Sequence, residues 1–313
     1  MDGFNLVFDV VNSVKGGCGK STFSVLLAAS YSMKGEYACV IDLDVSGSSL
    51  YDTYKGNLKL EKGSHIEDFL WDVETNAVPG SFEVEKKSGE SGTVDMFVVG
   101  KKINYELDEL QLDLFEDAIY RIIVKICELK QAKQEVHIIF DMPPGYEKHA
   151  ERIVKWLLLK TQSKLASFQK DYHVNLFMIS AFSQAHMNAN NSYFDSFFDG
   201  GYSSKVLASE IRKILTVYPV FNDVTDASTL GESTKIREER NSCLETLIKK
   251  ISPIMGANSI KYLLINHCSE WAGADFLSSS TSAKLKRVLP DELLFAVDNY
   301  QEYYSTGLSG GKS

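Results

Sequence analysis

A glycine-rich run with two lysines is the feature of this chain best suited to chemistry. Residues 14–22 are Val-Lys-Gly-Gly-Cys-Gly-Lys-Ser-Thr, directly after a predicted strand and at the start of a predicted helix. Glycines let several backbone N–H groups point at one anion, and the helix adds the positive end of its dipole. Lys20 is placed to reach the β- and γ-phosphates, and the Ser21 hydroxyl can bind Mg²⁺. The run predicts a phosphate-binding loop, although Val14 stands where the standard pattern has glycine.

Acidic residues end two of the predicted strands. Asp42 and Asp44 follow the apolar run that ends at Ile41, and Asp141 follows the run that ends at Phe140. A nucleoside triphosphatase needs carboxylates near its metal and its attacking water. The other interpretation of each acid, a strand-end residue that caps the next turn, stays open at this point.

The residues after a late strand bear on the choice of base. A GTPase would have Asn-Lys-x-Asp there, whereas this chain has Leu-Ile-Asn-His-Cys-Ser at 264–269, with no following Asp. The amide of Asn266 can read an adenine edge. We therefore expect ATP rather than GTP, while a turn role for Asn266 remains the alternative.

Short apolar runs alternate with longer helical patterns along the chain. The predicted strands cover residues 5–14, 37–43, 93–99, 135–141, 173–180, 259–266 and 293–297. The predicted helices cover residues 20–34, 65–72, 106–130 and 147–169. This alternation predicts an α/β fold with a doubly wound, mostly parallel sheet and helices on both faces.

Two segments interrupt the alternation. Residues 55–92 are polar and predicted as loops around the short helix. Residues 182–256 are predicted as a helical insertion between two strands, with an exposed loop at 218–234. We expect a single domain over 1–313 that includes this insertion.

Composition excludes several classes of protein. The net charge of −9 argues against a general polyanion binder, since nucleic-acid affinity rests on clustered Lys and Arg. Five scattered cysteines predict reduced thiols and a cytoplasmic location. No secretory signal or membrane-spanning run is expected. A basic series on one predicted helix could face phosphates or be a solvated face: Arg152, Lys155, Lys160, Lys164 and Lys170.

The pattern Lys-Gly-Gly-x-Gly-Lys-Ser-Thr resembles the deviant Walker A box of the ParA/MinD family of ATPases. The Asp-x-Asp and Asp-x-Pro-Pro segments resemble its other two motifs. The resemblance implies a P-loop fold and catalytic roles for Lys15, which acts across an ATP-sandwiched dimer, for Lys20 and for Asp44, which orients water. It implies that ATP is bound by Lys15, Gly16, Gly17, Cys18, Gly19, Lys20, Ser21, Thr22 and Asn266. It implies that Mg²⁺ is held by Ser21, Asp42 and Asp141, and that Gly145 faces the γ-phosphate.

The resemblance also implies a function. We expect an ATP-dependent dimerising switch with slow Mg²⁺-dependent hydrolysis, used in DNA partition or spatial positioning. Its expected partners are a second copy of itself, an activating protein and, as a further candidate, non-specific DNA. A membrane is not expected, because residues 303–313 have no apolar face.

Two other interpretations remain open, and a third lacks the residues that it needs. One is a switch that regulates a protein partner in a multi-component system without binding DNA. A less favoured one is a tyrosine autokinase, suggested by Tyr300, Tyr303 and Tyr304. The nitrogenase iron protein type would need paired cluster-ligating cysteines, for which the sequence has no counterpart.

Overall fold

The structure is a computed structural model of the chain. It describes residues 3–44, 49–55, 58, 60–72, 75–85, 91–100, 109–130, 135–145, 148–181, 185–186, 188–190, 192–193, 211, 213–224 and 263–266. The predicted strand at 293–297, the tyrosines at 300, 303 and 304 and most of the predicted insertion lie outside these residues.

The described strands form one eight-stranded sheet. They are β1 (Phe4–Asn12), β2 (Tyr37–Asp42), β3 (Gly80–Glu85), β4 (Ser91–Phe97), β5 (Glu135–Asp141), β6 (Gln169–Ala181), β7 (Leu215–Val224) and β8 (Leu263–Asn266). Their order in the sheet is β3-β4-β2-β5-β1-β6-β7-β8. Neighbouring strands are parallel except for β3 with β4. The predicted doubly wound, mostly parallel α/β fold is confirmed.

Helices cover both faces of this sheet. The helices are α1 (Lys20–Met33), α2 (Ser49–Tyr54), α3 (Ile66–Trp71), α4 (Glu109–Leu129), α5 (Lys148–Trp156) and α6 (Gln162–Lys164), with a π-helical turn at Leu157–Thr161 between the last two. Side chains of α3, α4 and α5 pack in one apolar cluster and those of α1 and α2 in another. Alternate residues of β5 enter the two clusters, as the two-residue period of a strand requires.

The helix predicted at 147–169 is interrupted. Its first part ends at Trp156, and the next five residues form the π-helical turn. The backbone carbonyls of Trp156, which precedes this wider turn, and of Leu157, its first residue, accept side-chain hydrogen bonds. The Thr161 hydroxyl donates to Trp156 O (3.0 Å), and the Tyr172 hydroxyl donates to Leu157 O (2.6 Å). These bonds satisfy buried carbonyls where regular helical bonding is disturbed.

The prediction of an exposed loop at 218–234 is wrong for residues 218–224. These residues belong to β7, which pairs with β6 in register Val174↔Leu215. The ring of Tyr218 stacks on Phe177 with centroids 4.7 Å apart. Proline is unusual inside a sheet strand, and Pro219 lies within this run. The sequence pattern therefore did not indicate a strand here. The segment predicted as a helical insertion therefore contains a strand of the sheet.

The polar segment at 55–92 also holds more structure than predicted. The short helix expected at 65–72 is present as α3, but residues 80–85 form the antiparallel edge strand β3 instead of a loop. The rings of Phe82 in β3 and Tyr54 in α2 stack with centroids 4.9 Å apart. Packing against distant residues thus stabilises a strand with weak local preference.

Candidate nucleotide-binding site

The three predicted nucleotide motifs meet at one edge of the sheet. β2, β5 and β1 are adjacent and parallel, so their carboxyl ends lie side by side. Asp42 is the direct register partner of Asp141. β1 has β5 on one side and β6 on the other, which makes it the point where the chain order reverses. Ligands of open α/β sheets bind at this edge and at such a point.

The phosphate loop connects β1 to α1 and is held from within. The Ser13 hydroxyl and the Cys18 thiol both donate to the Lys15 carbonyl, at 2.8 and 3.4 Å. Gly17 and Gly19 have φ values of 76° and 87°, in the left-handed region that favours glycine. A Cβ placed on Gly16 or Gly17 would meet nothing within 4 Å. The loop is therefore fixed by its own side chains and open on its outer side.

The two lysines of the loop have different environments. Lys20 is the first residue of α1 and only 8% exposed. Lys15 is exposed on the outer part of the loop. Ser21 and Thr22 follow Lys20 in the first turn of α1 and are half-buried. Lys20 thus lies inside the site, whereas Lys15 is accessible to a second molecule.

Asp141 is buried against the start of α1. The Ser24 hydroxyl donates to its carboxylate at 3.0 Å, and Ser21 also hydrogen-bonds to it. Burial raises the pKa of Asp141 to about 6. The bonds from the two serines and the charge of Lys20 oppose this rise, while the charge of Asp44 adds to it. All five groups therefore interact within one small volume.

The other two acids lie beside Asp141. Asp42 is buried at the end of β2, and the backbone N–H of Asp44 donates to its carboxylate at 3.0 Å. Asp44 is half-buried. The Leu43 N–H donates to the Asp141 carbonyl at 2.9 Å, which ties this turn to β5. The residues that follow, 45–48, are outside the described part of the chain.

The donor atoms at this edge suit Mg²⁺. Ser21, Asp42 and Asp141 supply only oxygen, the atom that Mg²⁺ prefers. In the described ranges, no group of three or more His, Cys, Asp or Glu side chains is arranged to hold a metal. Mg²⁺ in phosphate sites is bound by one or two protein groups together with substrate phosphates and water. The residues present fit a Mg²⁺–nucleotide complex.

Gly145 and Asn266 are the two remaining residues that were predicted to contact the nucleotide. The Gly145 N–H, expected to face a phosphate, donates to the Ser13 carbonyl at 3.0 Å and so joins the loop after β5 to the phosphate loop. Asn266 ends β8 at the carboxyl edge, in register with Val224. At about 4.8 Å per strand, its backbone lies roughly 14 Å from β1. The structure does not bring Asn266 to the phosphate loop, and its adenine contact stays a prediction.

A histidine that no motif indicated lies beside this site. His186 follows β6, and its charge interacts with that of Lys15. Burial lowers the pKa of His186, and the Lys15 ammonium lowers it further. Its position depends on β6 pairing with β1, which no local sequence signal indicates.

A second group of charges lies at the far end of α1. His137 Nδ1 is 3.1 Å from Asp9, and its Nε2 is 3.0 Å from Glu135 and 3.4 Å from Glu36. The Tyr31 ring stacks on the imidazole with centroids 3.4 Å apart. Burial alone would lower the pKa of His137, but the three carboxylates outweigh it and raise the pKa to about 10. The imidazole is therefore charged at neutral pH.

Two members of the basic series are engaged within the chain. Arg152 forms ion pairs with Asp113 and Glu116 of α4. The Lys164 ammonium lies 5.1 Å from the centre of the Tyr120 ring. The carboxylates of Asp113 and Glu116 offset the charge of Arg152, and Lys170 lies in β6 instead of on the predicted helix, so the five basic residues do not share one helix face. Among the helices described, none is long and apolar enough to cross a membrane.

Comparison with known proteins supports the motif analysis. The family profile described as ParA, NUBPL iron-transfer P-loop NTPase, matches residues 7–68. The solved structure of pNOB8 ParA shares the fold over 96% of this chain and 99% of that chain, with 14% sequence identity and a TM-score of 0.55. A putative plasmid partition protein from Borrelia burgdorferi B31 bound to AMPPNP shares it over 96% of this chain and 98% of that chain, with 13% identity and a TM-score of 0.52. pNOB8 ParA bound to non-specific DNA is similar too (14% identity, 96% of this chain and 99% of that one, TM-score 0.51). No curated protein matches in sequence. The predicted resemblance to the ParA/MinD family is confirmed.

Proposed function

We propose that this protein is an ATP-dependent dimerising switch that hydrolyses ATP slowly with Mg²⁺. One observation supports this above all: a single loop has one lysine inside the site and one exposed at its outer part. An ordinary nucleotidase needs only the inner lysine. The exposed Lys15 has a use if the phosphates of a second molecule face it.

Binding of ATP is the first step. The open loop offers backbone N–H groups to the β- and γ-phosphates, and Lys20 neutralises part of their charge. Ser21, together with the carboxylates of Asp42 and Asp141, would hold Mg²⁺, which when bound neutralises charge that develops on the phosphates. The raised pKa of Asp141 means that its ionised form is costly until a cation is near.

Hydrolysis needs a water in line with the γ-phosphate. Asp44 is half-buried beside Asp42, so its carboxylate can meet both the solvent and the site. In this proposal Asp44 orients the attacking water and Lys15 of the second subunit stabilises the charge of the transition state. Neither subunit has a complete site alone, and ATP therefore acts as a signal for dimerisation.

Two cellular roles are candidates for this switch: DNA partition and regulation of a protein partner. A role in DNA partition is supported by the similarity in fold to partition proteins, one of which was solved with non-specific DNA. Regulation of a protein partner is supported by the net charge of −9 and by the ion pairs of Arg152. We place both in the cytoplasm.

The test is a sizing measurement by analytical ultracentrifugation with Mg²⁺ and either ATP or ADP. We expect dimers with ATP and monomers with ADP. Lys20→Ala should abolish ATP binding, and Lys15→Ala should retain binding while losing the dimer and turnover. Lys62→Ala is a matched control, because Lys62 is exposed and its ammonium lies 3.1 Å from the Asp72 carboxylate. Normal dimers and turnover in Lys15→Ala would refute the proposal.

A second measurement distinguishes a role in DNA partition from regulation of a protein partner. Co-sedimentation with DNA at low salt, with ATP and with ADP, should show ATP-dependent binding that weakens with salt if the protein acts in partition. An ATP dimer that does not bind DNA at low salt would favour the protein partner.

A further inference from the structure

A serine of α1 that lies outside the phosphate-loop pattern contacts the candidate metal site. Ser24 comes three residues after Ser21, so the two side chains lie on the same side of the helix. Ser24 is fully buried, and its hydroxyl donates to Asp141 Oδ1 at 3.0 Å. The body of the helix, and not only the loop before it, therefore holds one of the acids that would bind Mg²⁺.

The strand β5 sets where the Asp141 side chain lies but not how its carboxylate is turned. Ile139 packs in the apolar cluster of α1 and α2, and Asp141, two residues later, lies on the same face of the sheet. The last torsion of an aspartate side chain is broad, so its two oxygens have no fixed direction of their own. A hydrogen bond to one named oxygen removes this freedom.

The Ser24 hydroxyl has one hydrogen and two acceptors within reach. The second acceptor is the Lys20 carbonyl at 3.2 Å, four residues earlier in the same helix. In a regular helix that carbonyl already accepts the backbone N–H of the fourth residue after it. A bond to an ionised carboxylate is roughly twice as strong as one to a neutral carbonyl. The hydrogen is therefore directed to Asp141 when its carboxylate is charged.

We propose that Ser24 is a positioning residue that holds the Asp141 carboxylate in the orientation required to bind Mg²⁺ together with Ser21 and Asp42. This rests on the part of the proposed function in which Asp141 binds the metal. Outer partners of metal ligands orient those ligands, and their loss typically lowers metal affinity by about 10–100-fold. Because Ser24 is fully buried, bulk water does not take over the bond when the hydroxyl is removed.

The test measures binding of a fluorescent ADP analogue to the full chain in EDTA and in saturating Mg²⁺. The ratio of the two dissociation constants gives the coupling between metal and nucleotide. ADP is chosen because the proposed switch stays monomeric with it, so the result does not depend on dimerisation. We expect Ser24→Ala to lower this ratio about tenfold and to leave binding in EDTA within about twofold of the wild type.

Ser32→Ala is the matched control on the same helix. It also removes a buried hydroxyl, whose 2.8 Å bond goes to the Thr93 carbonyl near the far end of α1. Its ratio should stay within about twofold of the wild-type ratio. A merely structural role of Ser24 would weaken ADP binding equally in EDTA and in Mg²⁺ and leave the ratio unchanged, which would overturn the inference.

A third variant separates failure of the inference from failure of the metal site. Asp141→Asn should lower the ratio at least as much as Ser24→Ala, because it removes the charged ligand itself. If Asp141→Asn lowers the ratio while Ser24→Ala matches Ser32→Ala, only the role of Ser24 is refuted. If Asp141→Asn keeps the wild-type ratio, Asp141 does not bind the metal, and that part of the proposed function fails together with the inference.

Discussion

Replacement of His137 by glutamine is expected to destabilise the fold by about 3 kcal/mol at pH 7. The imidazolium interacts with Asp9, Glu135 and Glu36, and glutamine keeps the size but not the charge. A rise in pKa from 6.5 to about 10 corresponds to roughly 5 kcal/mol of preference for the charged form. Glu135 and Glu36 are partly exposed, so solvent screens some of this energy. Asp9 is fully buried and would lose its cation.

The pH dependence gives a sharper signature than the loss of stability alone. The pKa of His137 is higher in the folded chain than in the unfolded chain. Its contribution is therefore complete below about pH 6.5 and is lost as the pH rises through about 10. The difference in unfolding free energy between the wild type and His137→Gln should shrink over this range. Urea unfolding at pH 7, 8.5 and 10 measures it.

A matched control is available on β6, which β1 separates from β5 in the sheet. His173 is half-buried in β6, and its Nε2 lies 2.9 Å from the Thr216 hydroxyl. His173→Gln should cost under about 1 kcal/mol and show no comparable pH trend. If His137→Gln unfolds within about 0.5 kcal/mol of the wild type at pH 7, the interpretation of this cluster as a stabilising charge network is wrong.

Three further substitutions test the site and its support. Burial raises the pKa of Asp141 to about 6, so the destabilising cost of ionising this buried carboxyl develops as the pH rises from about 4 and is complete above about 6. Asp141→Asn removes this cost, and thermal denaturation at pH 7.5 without nucleotide should show a gain of about 2 kcal/mol, while the stabilisation by Mg²⁺-ATP should disappear. An unchanged response to Mg²⁺-ATP would remove Asp141 from the metal site. Asp44→Ala should lower turnover and accumulate the ATP dimer in the sizing measurement, and wild-type phosphate release would contradict its role. Tyr172→Phe leaves the Leu157 carbonyl without its 2.6 Å bond and should cost about 1–3 kcal/mol in urea unfolding, with ATP binding retained as the control.

Strong local signals made much of the sheet and the loop predictable. The strand at 135–141 matches β5 residue for residue, because an apolar run ends at Asp141 and two prolines follow after Met142. The helix predicted at 20–34 is α1 to within one residue, since the glycines before it and Gly35 after it mark its ends. The two acid-ended strands were expected beside the loop because parallel strands place their carboxyl ends together.

The remaining features depend on contacts between distant residues. The direct pairing of Asp42 with Asp141 is a matter of register between β2 and β5, which lie almost 100 residues apart. β7 contains a proline and polar residues at its end, and its pairing with β6 decides its conformation. His186 has no motif of its own and gains its place from the order of β6 and β1.

The π-helical turn at Leu157–Thr161 has a consequence for how this region tolerates changes in length. Such a turn has about one residue more than a regular helix would need over the same distance. Deletion of Leu159, whose side chain is 45% exposed, would let the turn close into regular α-helix without removing a core side chain. Each residue of an α-helix advances the direction of its side chain by about 100°. The turn therefore sets the direction in which the side chains of α6 point before the chain enters β6. A chain with one residue fewer here would turn a different face of α6 toward the sheet.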